Sequence, residues 1–356
     1  MMAVADRDCS EILREQVAAA QAHRTALRIH AADTRAFLGR TVRGEPLDVS
    51  GHRGIVDYQP SELVVTVRAG TPLADLEAEL ESCGQILAFE PPRFGPSTIG
   101  GAVATAMSGP RRPYAGAARD FVLGVRCLNG RAELLSFGGR VMKNVAGYDV
   151  SRLMSGAHGT LGVLLDISLK VLPRAQQELT LERQCDQDEA IRLMNAWAGM
   201  PLPLSASAYD GEVLRARLSG AITAVRAACM SLGGDGCSEQ REYWQQLRDQ
   251  KLAFFDGSGR LWRLSVPPAS APLALDGEQY IEWGGALRWL YSDEDASVVR
   301  RVVSALGGHA TLYRGARDDE PLFHPLAPAM MQLQRRIKQA FDPAGILNPG
   351  RMYAEI

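Results

Sequence analysis

Between Pro91 and Gly109 the chain reads PPRFGPSTIGGAVATAMSG, and from Thr98 to Gly109 every side chain is small, hydroxylic or aliphatic. Such a run lets a backbone approach a ligand closely, because its N–H groups are not shielded by bulky side chains. The hydroxyls of Ser97, Thr98, Thr105 and Ser108 add donors suited to a pyrophosphate, and the apolar remainder suits a flat ring. Tight helix packing would use the same residues equally well. The decision therefore rests on what accompanies the run.

Its company is Val141–Val163, VMKNVAGYDVSRLMSGAHGTLGV, where glycine-bearing turns at Gly147, Gly156 and Gly159 stand just before a long apolar strand. Asp149 can cap a short helix to Met154, and the two later glycines free the chain to turn past a ligand. Three such loops exceed what packing requires. Neither G-x-G-x-x-G nor G-x-x-x-x-G-K-[ST] is present, which disfavours a Rossmann dinucleotide enzyme and a P-loop NTPase.

Other chemistries are narrowed by composition. Lys and Arg number 39 against 41 Asp and Glu, so no basic field invites nucleic acid. The six cysteines, Cys9, Cys83, Cys127, Cys185, Cys229 and Cys237, never fall as C-x-x-C. They read as reduced thiols, with no iron–sulfur or zinc signature. The six histidines, His23, His30, His52, His158, His309 and His324, show neither H-x-H nor H-x-x-x-H spacing, so no metal site is drawn. A charged N-terminus and the lack of an 18-residue apolar run argue against a signal peptide or anchor.

The elements that must position these residues follow from periodicity. Ser10 opens a helix, Ala26–His30 reads as a strand, and Ala31–Gly39 as a loop. Glu62–Ala69 is a β-branched strand; Thr71 and Pro72 open a helix that Gly84 stops. Phe121–Phe137 reads as a tight hairpin at Asn129-Gly130, and Leu161–Leu172 as a long strand. Beyond Pro173 the order is strand, helix, hairpin at Asp210-Gly211, helix, then a second set from Leu261 to Tyr313. That pattern predicts one antiparallel sheet backed by helices. A last helix, Ala327–Phe341, leads into a Pro- and Gly-punctuated tail.

The order STIGGAVATAMSG, RDFVLGVRCLNG, KNVAGYDVSRLMSGAHGTLGV and FDPAGILNPGRMY resembles the vanillyl-alcohol oxidase/p-cresol methylhydroxylase (PCMH-type) FAD-binding family. AFLGR, GPRRPYAG, EWGGALRWL, GGHAT and NPGRMYAEI carry the likeness over nearly the whole chain, toward the FAD-binding subunits of bacterial glycolate oxidases (glycolate dehydrogenases). The resemblance implies an α+β fold: a two-lobed FAD-binding domain at 1–174, an α+β cap domain at 175–325, and a helix and tail at 326–356 returning to the first domain. It implies non-covalent FAD held by Asp33, Thr34, Thr98, Gly100, Gly101, Thr105, Ser108, Gly109, Gly159, Val163, Asn348 and Arg351. It further implies a CH-OH oxidoreductase subunit, turning glycolate into glyoxylate beside a second flavin-binding subunit and an iron–sulfur subunit. The setting is cytoplasmic, at the inner membrane only through that complex. A non-catalytic FAD-binding scaffold and a stand-alone sugar or lactone oxidoreductase are the alternatives.

Two departures sharpen the expectation. The first phosphate loop of this family is usually glycine-rich, whereas here it reads Ala31-Ala32-Asp33-Thr34-Arg35, with an anion beside a diphosphate unless the carboxylate is otherwise engaged. Oxidising a 2-hydroxy acid also needs a cation for the carboxylate and a base for the hydroxyl proton. Arg263, Arg288 and Arg314 could supply the first and His309 the second, although each residue type serves ion pairs and local hydrogen bonds more often. His30 invites covalent flavin attachment, but its place at a strand end suits a structural role.

Overall fold

The computed structural model describes residues 6–139, 149–233, 237–316 and 320–356. Two compact units share the chain: one comprises 1–107, 116–174 and 325–356, the other 108–115 and 175–324. A single division at residue 174 would assign 108–115 to the first unit; they fold with the second.

The first unit is built on a five-stranded antiparallel sheet in the order Ile55–Gln59, Val64–Arg68, Val163–Lys170, Val122–Leu128, Leu134–Gly138. Val64–Arg68 is buried along its whole length. Val65 and Val67 are fully covered, each worth about 2 kcal/mol by area. A parallel pair, Leu27–His30 with Glu45–Asp48, forms a second small sheet. Leu13, Val17 and Ala20 of the helix Ser10–His23 pack there with Leu27, Leu47, Val163, Ile346 and Leu347. Thus the C-terminal tail belongs to the core of this unit.

Local expectations hold with instructive exceptions. The helix Leu73–Ser82 begins after Pro72, and Thr71 accepts the N–H of Gly54 on its hydroxyl instead of capping the helix. The hairpin after Leu128 is not a two-residue turn: Asn129 Oδ1 accepts from the N–H groups of Arg131 and Glu133, and Ala132 takes the left-handed conformation. Gly130 is glycine for another reason. A Cβ there would overlap Asp342.

In the second unit, eight strands form one sheet in the order Cys237–Ser238, Gln177–Gln184, Val213–Gly220, Leu204–Tyr209, Glu278–Glu282, Leu287–Tyr291, Leu261–Ser265, His309–Arg314. Every pairing is antiparallel. The helices Gln187–Ala198 and Ile222–Leu232 cover one part and Ala296–Ala305 another. Trp244 is core, its indole N–H donating to Thr180 Oγ1 at 2.7 Å. Six free thiols were expected; instead Cys229, at the end of a helix, and Cys237, on the edge strand beside it, are joined as a disulfide. Spacing alone could not show that these two approach.

Candidate functional site

A pocket in the first unit encloses about 1240 Å³ of empty space, its solvent-open mouth included. Separate stretches of chain wall it, among them the loop 28–36, the helix Ile99–Thr105, the turn 157–162, and the tail at Asn348 and Arg351. Asp33, Thr34, Thr98, Gly100, Gly101, Thr105, Gly159, Asn348 and Arg351 all line it. Val163 lies outside, buried in the sheet core, and Ser108 and Gly109 fold with the second unit. The turn at Gly147 lies outside the described residues.

Each wall has a physical cause. Thr98 caps its helix by accepting the N–H of Gly101 at 3.2 Å, and Thr105 returns its hydroxyl to the carbonyl of Gly101 at 2.8 Å. A Cβ on Gly101 would meet nothing nearer than Thr98 Oγ1 at 3.4 Å, so this face is open by composition. Gly100 serves packing instead, since a Cβ there would fall 2.6 Å from the carbonyl oxygen of Ala69. Gly159 sits at φ +73°, where a side chain would press on Asn348. Asn348 accepts the N–H of Ile29 at 2.8 Å and donates to the carbonyl of His158 at 2.8 Å, tying strand, turn and tail together.

The loop that lacks glycine is nonetheless shaped for an anion. Only Asp33 within Ala31–Arg35 has a positive φ, +52°, a conformation Asp adopts more readily than most residues. The alanines therefore carry no strain. The N–H groups of Ala31, Ala32, Asp33 and Thr34 donate to no acceptor among the described residues, and all four residues line the cavity. Asp33 Oδ2 is engaged by Arg28 Nη1 at 2.8 Å, so its charge is balanced. Unspent backbone donors, a small-residue face and open volume fit the pyrophosphate and ring of FAD.

Arg351 lines the same pocket, yet its guanidinium donates to the carbonyls of Arg40 at 2.8 Å, Ala36 at 3.0 Å and Arg35 at 3.2 Å. It staples the loop to the tail. His158, absent from the expected set, contributes a partly buried ring whose pKa is pushed down to about 4, by desolvation first and then by the charge of Arg351. Arg28 was also missed. An arginine in a strand carries no sequence mark that it will answer an acid five residues on.

The second unit gathers two of the residues expected to meet substrate, Arg263 and His309, on one sheet face. Arg263 pairs across from Thr311 and Trp289, and His309 across from Ser265, so alternation puts all of them on the face opposite the core of Trp262, Leu264 and Leu290. The Arg263 guanidinium lies 4.9 Å from the Trp283 ring centroid and 6.0 Å from that of Trp289, and makes no hydrogen bond or ion pair to any described residue. Arg112, from the segment 108–115, stacks 4.4 Å from the same Trp283 ring. Burial, with Arg112 adding to it against the opposing fields of Tyr313 and Glu282, holds the Arg263 pKa below its ordinary value. Burial, Arg263 and Arg112 lower that of His309.

The remaining candidates are spent elsewhere. Arg288 is fully buried, donating to the carbonyls of Gly285 at 2.7 Å and Ser270 at 2.8 Å, and Arg314 donates to Phe255 and Gln250. His30 places Nδ1 3.3 Å from the carbonyl oxygen of Ala31. No group of three or more His, Cys, Asp or Glu that could hold a metal occurs among the described residues, and no helix there is long and apolar enough to cross a membrane.

Comparison with known proteins agrees with this geometry. Residues 4–138 match the FAD binding domain family and residues 317–352 the C-terminal domain of FAD linked oxidases. The chain is 49% identical over 350 residues to the glycolate oxidase subunit GlcE of Escherichia coli, covering 98% of this chain and 99% of that one. It is 32% identical over 127 residues to the glycolate oxidase subunit GlcD of Bacillus subtilis, covering 36% of this chain and 27% of the relative. Among solved structures, p-cresol methylhydroxylase with substrate bound superposes with a TM-score of 0.72 at 15% identity, over 98% of this chain and 88% of that one. An alkyldihydroxyacetonephosphate synthase gives 0.69 at 14%, over 95% and 74%. These structural likenesses fix the α+β, PCMH-type fold, and the chain belongs to the GlcE family of FAD-dependent oxidoreductase subunits acting on CH-OH donors.

Proposed function

We propose that the chain oxidises glycolate to glyoxylate as one subunit of a glycolate oxidase complex, and passes the electrons to an iron–sulfur subunit that works beside a second flavin-binding subunit. In this reading the first unit is the FAD domain and the second carries the residues that recognise substrate. The observation that carries the reading is Arg263. A half-buried guanidinium between two indoles, with a second guanidinium on the same ring and no carboxylate within ion-pair distance among the described residues, is supported at some electrostatic cost. A small 2-hydroxy acid would supply the missing anion.

The residues divide the work. Arg263, helped by Arg112, holds the carboxylate. His309, kept neutral at pH 7 by its lowered pKa, takes the hydroxyl proton. Bound FAD supplies the two-electron oxidant for the α-hydrogen. Ala31–Thr34, Thr98, Gly101, Thr105, Gly159, Asn348 and Arg351 hold that cofactor without a covalent link. No cysteine pattern in the chain suits an iron–sulfur cluster, which supports the need for a partner to carry single electrons onward.

Anaerobic glycolate titration of the purified chain tests the proposal. Glycolate should bleach the flavin, and Arg263→Met should raise the glycolate concentration for half-bleaching about 100-fold, roughly 3 kcal/mol, with FAD content unchanged. Wild-type flavin that ignores glycolate, or an Arg263→Met chain that bleaches normally, would overturn it.

A further inference from the structure

Lys338 touches no part of the FAD pocket, yet two of its walls meet at its ammonium group. It is the one buried residue of the helix Pro328–Phe341. Nζ donates to the carbonyls of Thr160 at 2.8 Å and Leu347 at 2.7 Å, and to Asp342 Oδ2 at 2.7 Å, so all three protons are used. Thr160 follows Gly159 on the turn that walls the pocket. Leu347 precedes Asn348 on the tail that walls it from the other side.

The partner of this lysine is equally committed. Asp342 is buried and accepts the N–H groups of Ile346 at 3.1 Å and Leu347 at 2.7 Å, which sets the turn that delivers Asn348. Gly130 gives up its side chain so that Asp342 can sit there. Asn348 then reaches Ile29 and the carbonyl of His158. A surface ion pair would need none of these backbone partners.

We infer that Lys338 is a positioning residue for FAD: one buried ammonium fixes the spacing between the Gly159 turn and the Asn348 tail, and so sets cofactor affinity without contacting the cofactor. Burial of this amine, which lowers its pKa despite Asp342, agrees with a site where nothing else replaces the three acceptors.

The full chain with added FAD tests this by quenching of flavin fluorescence and by visible circular dichroism of the bound ring. Lys338→Met should raise the FAD dissociation constant at least tenfold and change the visible dichroism. The double variant Lys338→Met/Asn348→Ala should bind no more weakly than Asn348→Ala alone, since both act through one contact. Asp342→Asn, whose one carbonyl oxygen can replace Oδ2 for Lys338 and the N–H of Leu347 while only the N–H of Ile346 loses its acceptor, should fold and raise the constant about threefold or more. Leu76→Ala, in the core of the helix Leu73–Ser82 and away from the pocket, should lower the Tm while leaving affinity and dichroism as in the wild type. If Lys338→Met lowers only the Tm, the inference fails; if that variant does not fold, wild-type affinity and dichroism in Asp342→Asn overturn it.

Discussion

Arg28 and Asp33 face each other across 2.8 Å at the edge of the cofactor pocket, both partly exposed. Without Arg28 the carboxylate of Asp33 would add a negative charge beside a pyrophosphate that is itself anionic, at a site screened by solvent but not fully. Arg28→Ala should therefore weaken FAD binding about tenfold, an effect of about 1.4 kcal/mol. Arg28→Ala/Asp33→Ala should recover most of it, and flavin fluorescence titration at two salt concentrations would show the single variant's deficit shrinking in high salt. An unchanged affinity in Arg28→Ala would mean the pair is ornamental. From sequence, Asp33 was legible as a difficulty and Arg28 as its answer was not. A pairing between a strand residue and a loop residue depends on a turn whose one left-handed position cannot be located among Ala, Ala, Asp, Thr and Arg by composition.

At the level of elements, period and punctuation carried most of the information. The antiparallel sheet of the second unit and the hairpin at Asp210-Gly211 follow from alternation and a turn dipeptide, and Asp210 Oδ1 accepts the N–H groups of Glu212 and Val213 as that dipeptide requires. Asn129-Gly130 misled, because the same pair of residues there answers a tertiary demand, room for Asp342. The run Thr98–Thr105 was readable as a ligand wall, but not which glycine does what. Gly100 packs on Ala69, whereas Gly101 opens into the cavity. That difference makes a selective prediction. Gly101→Val should leave the apoprotein as stable as wild type or slightly more so, since glycine is the poorer helix former. It should also cost at least tenfold in FAD affinity by filling part of the cavity that Gly101 lines. Thermal unfolding of apo and cofactor-loaded protein checks it: the apo Tm should hold while the increment given by FAD collapses. A loss of apo Tm instead would mean that Gly101 is a packing residue like its neighbour.

The whole molecule has an asymmetry that lets its units be watched separately: all five tryptophans, Trp197, Trp244, Trp262, Trp283 and Trp289, lie in the second unit. His158 lies in the first, with a folded pKa of about 4 against an ordinary 6.5. Because burial lowers that value, the unfolded chain binds the extra proton between pH 6.5 and 4, so stability is full above the unfolded pKa and falls as pH drops toward 4. The shift corresponds to about 3 kcal/mol at most. Asp8, held well below the usual carboxylate range by its hydrogen bonds from Ser10 and by Arg68 and Arg126 against the penalty of burial, loses its contribution only at lower pH. Acid should thus loosen the first unit in two stages, histidine first and carboxylates after. Urea unfolding of the apoprotein at pH 7 and pH 5, followed by far-ultraviolet circular dichroism and by tryptophan emission, separates the stages. His158→Gln should flatten the pH dependence of the dichroism-detected phase between pH 4.5 and 6.5 and leave the tryptophan-detected phase where it was. Equal flattening of both phases would show that the units unfold as one, and no flattening in either would show that the imidazole of His158 reaches water in the native state.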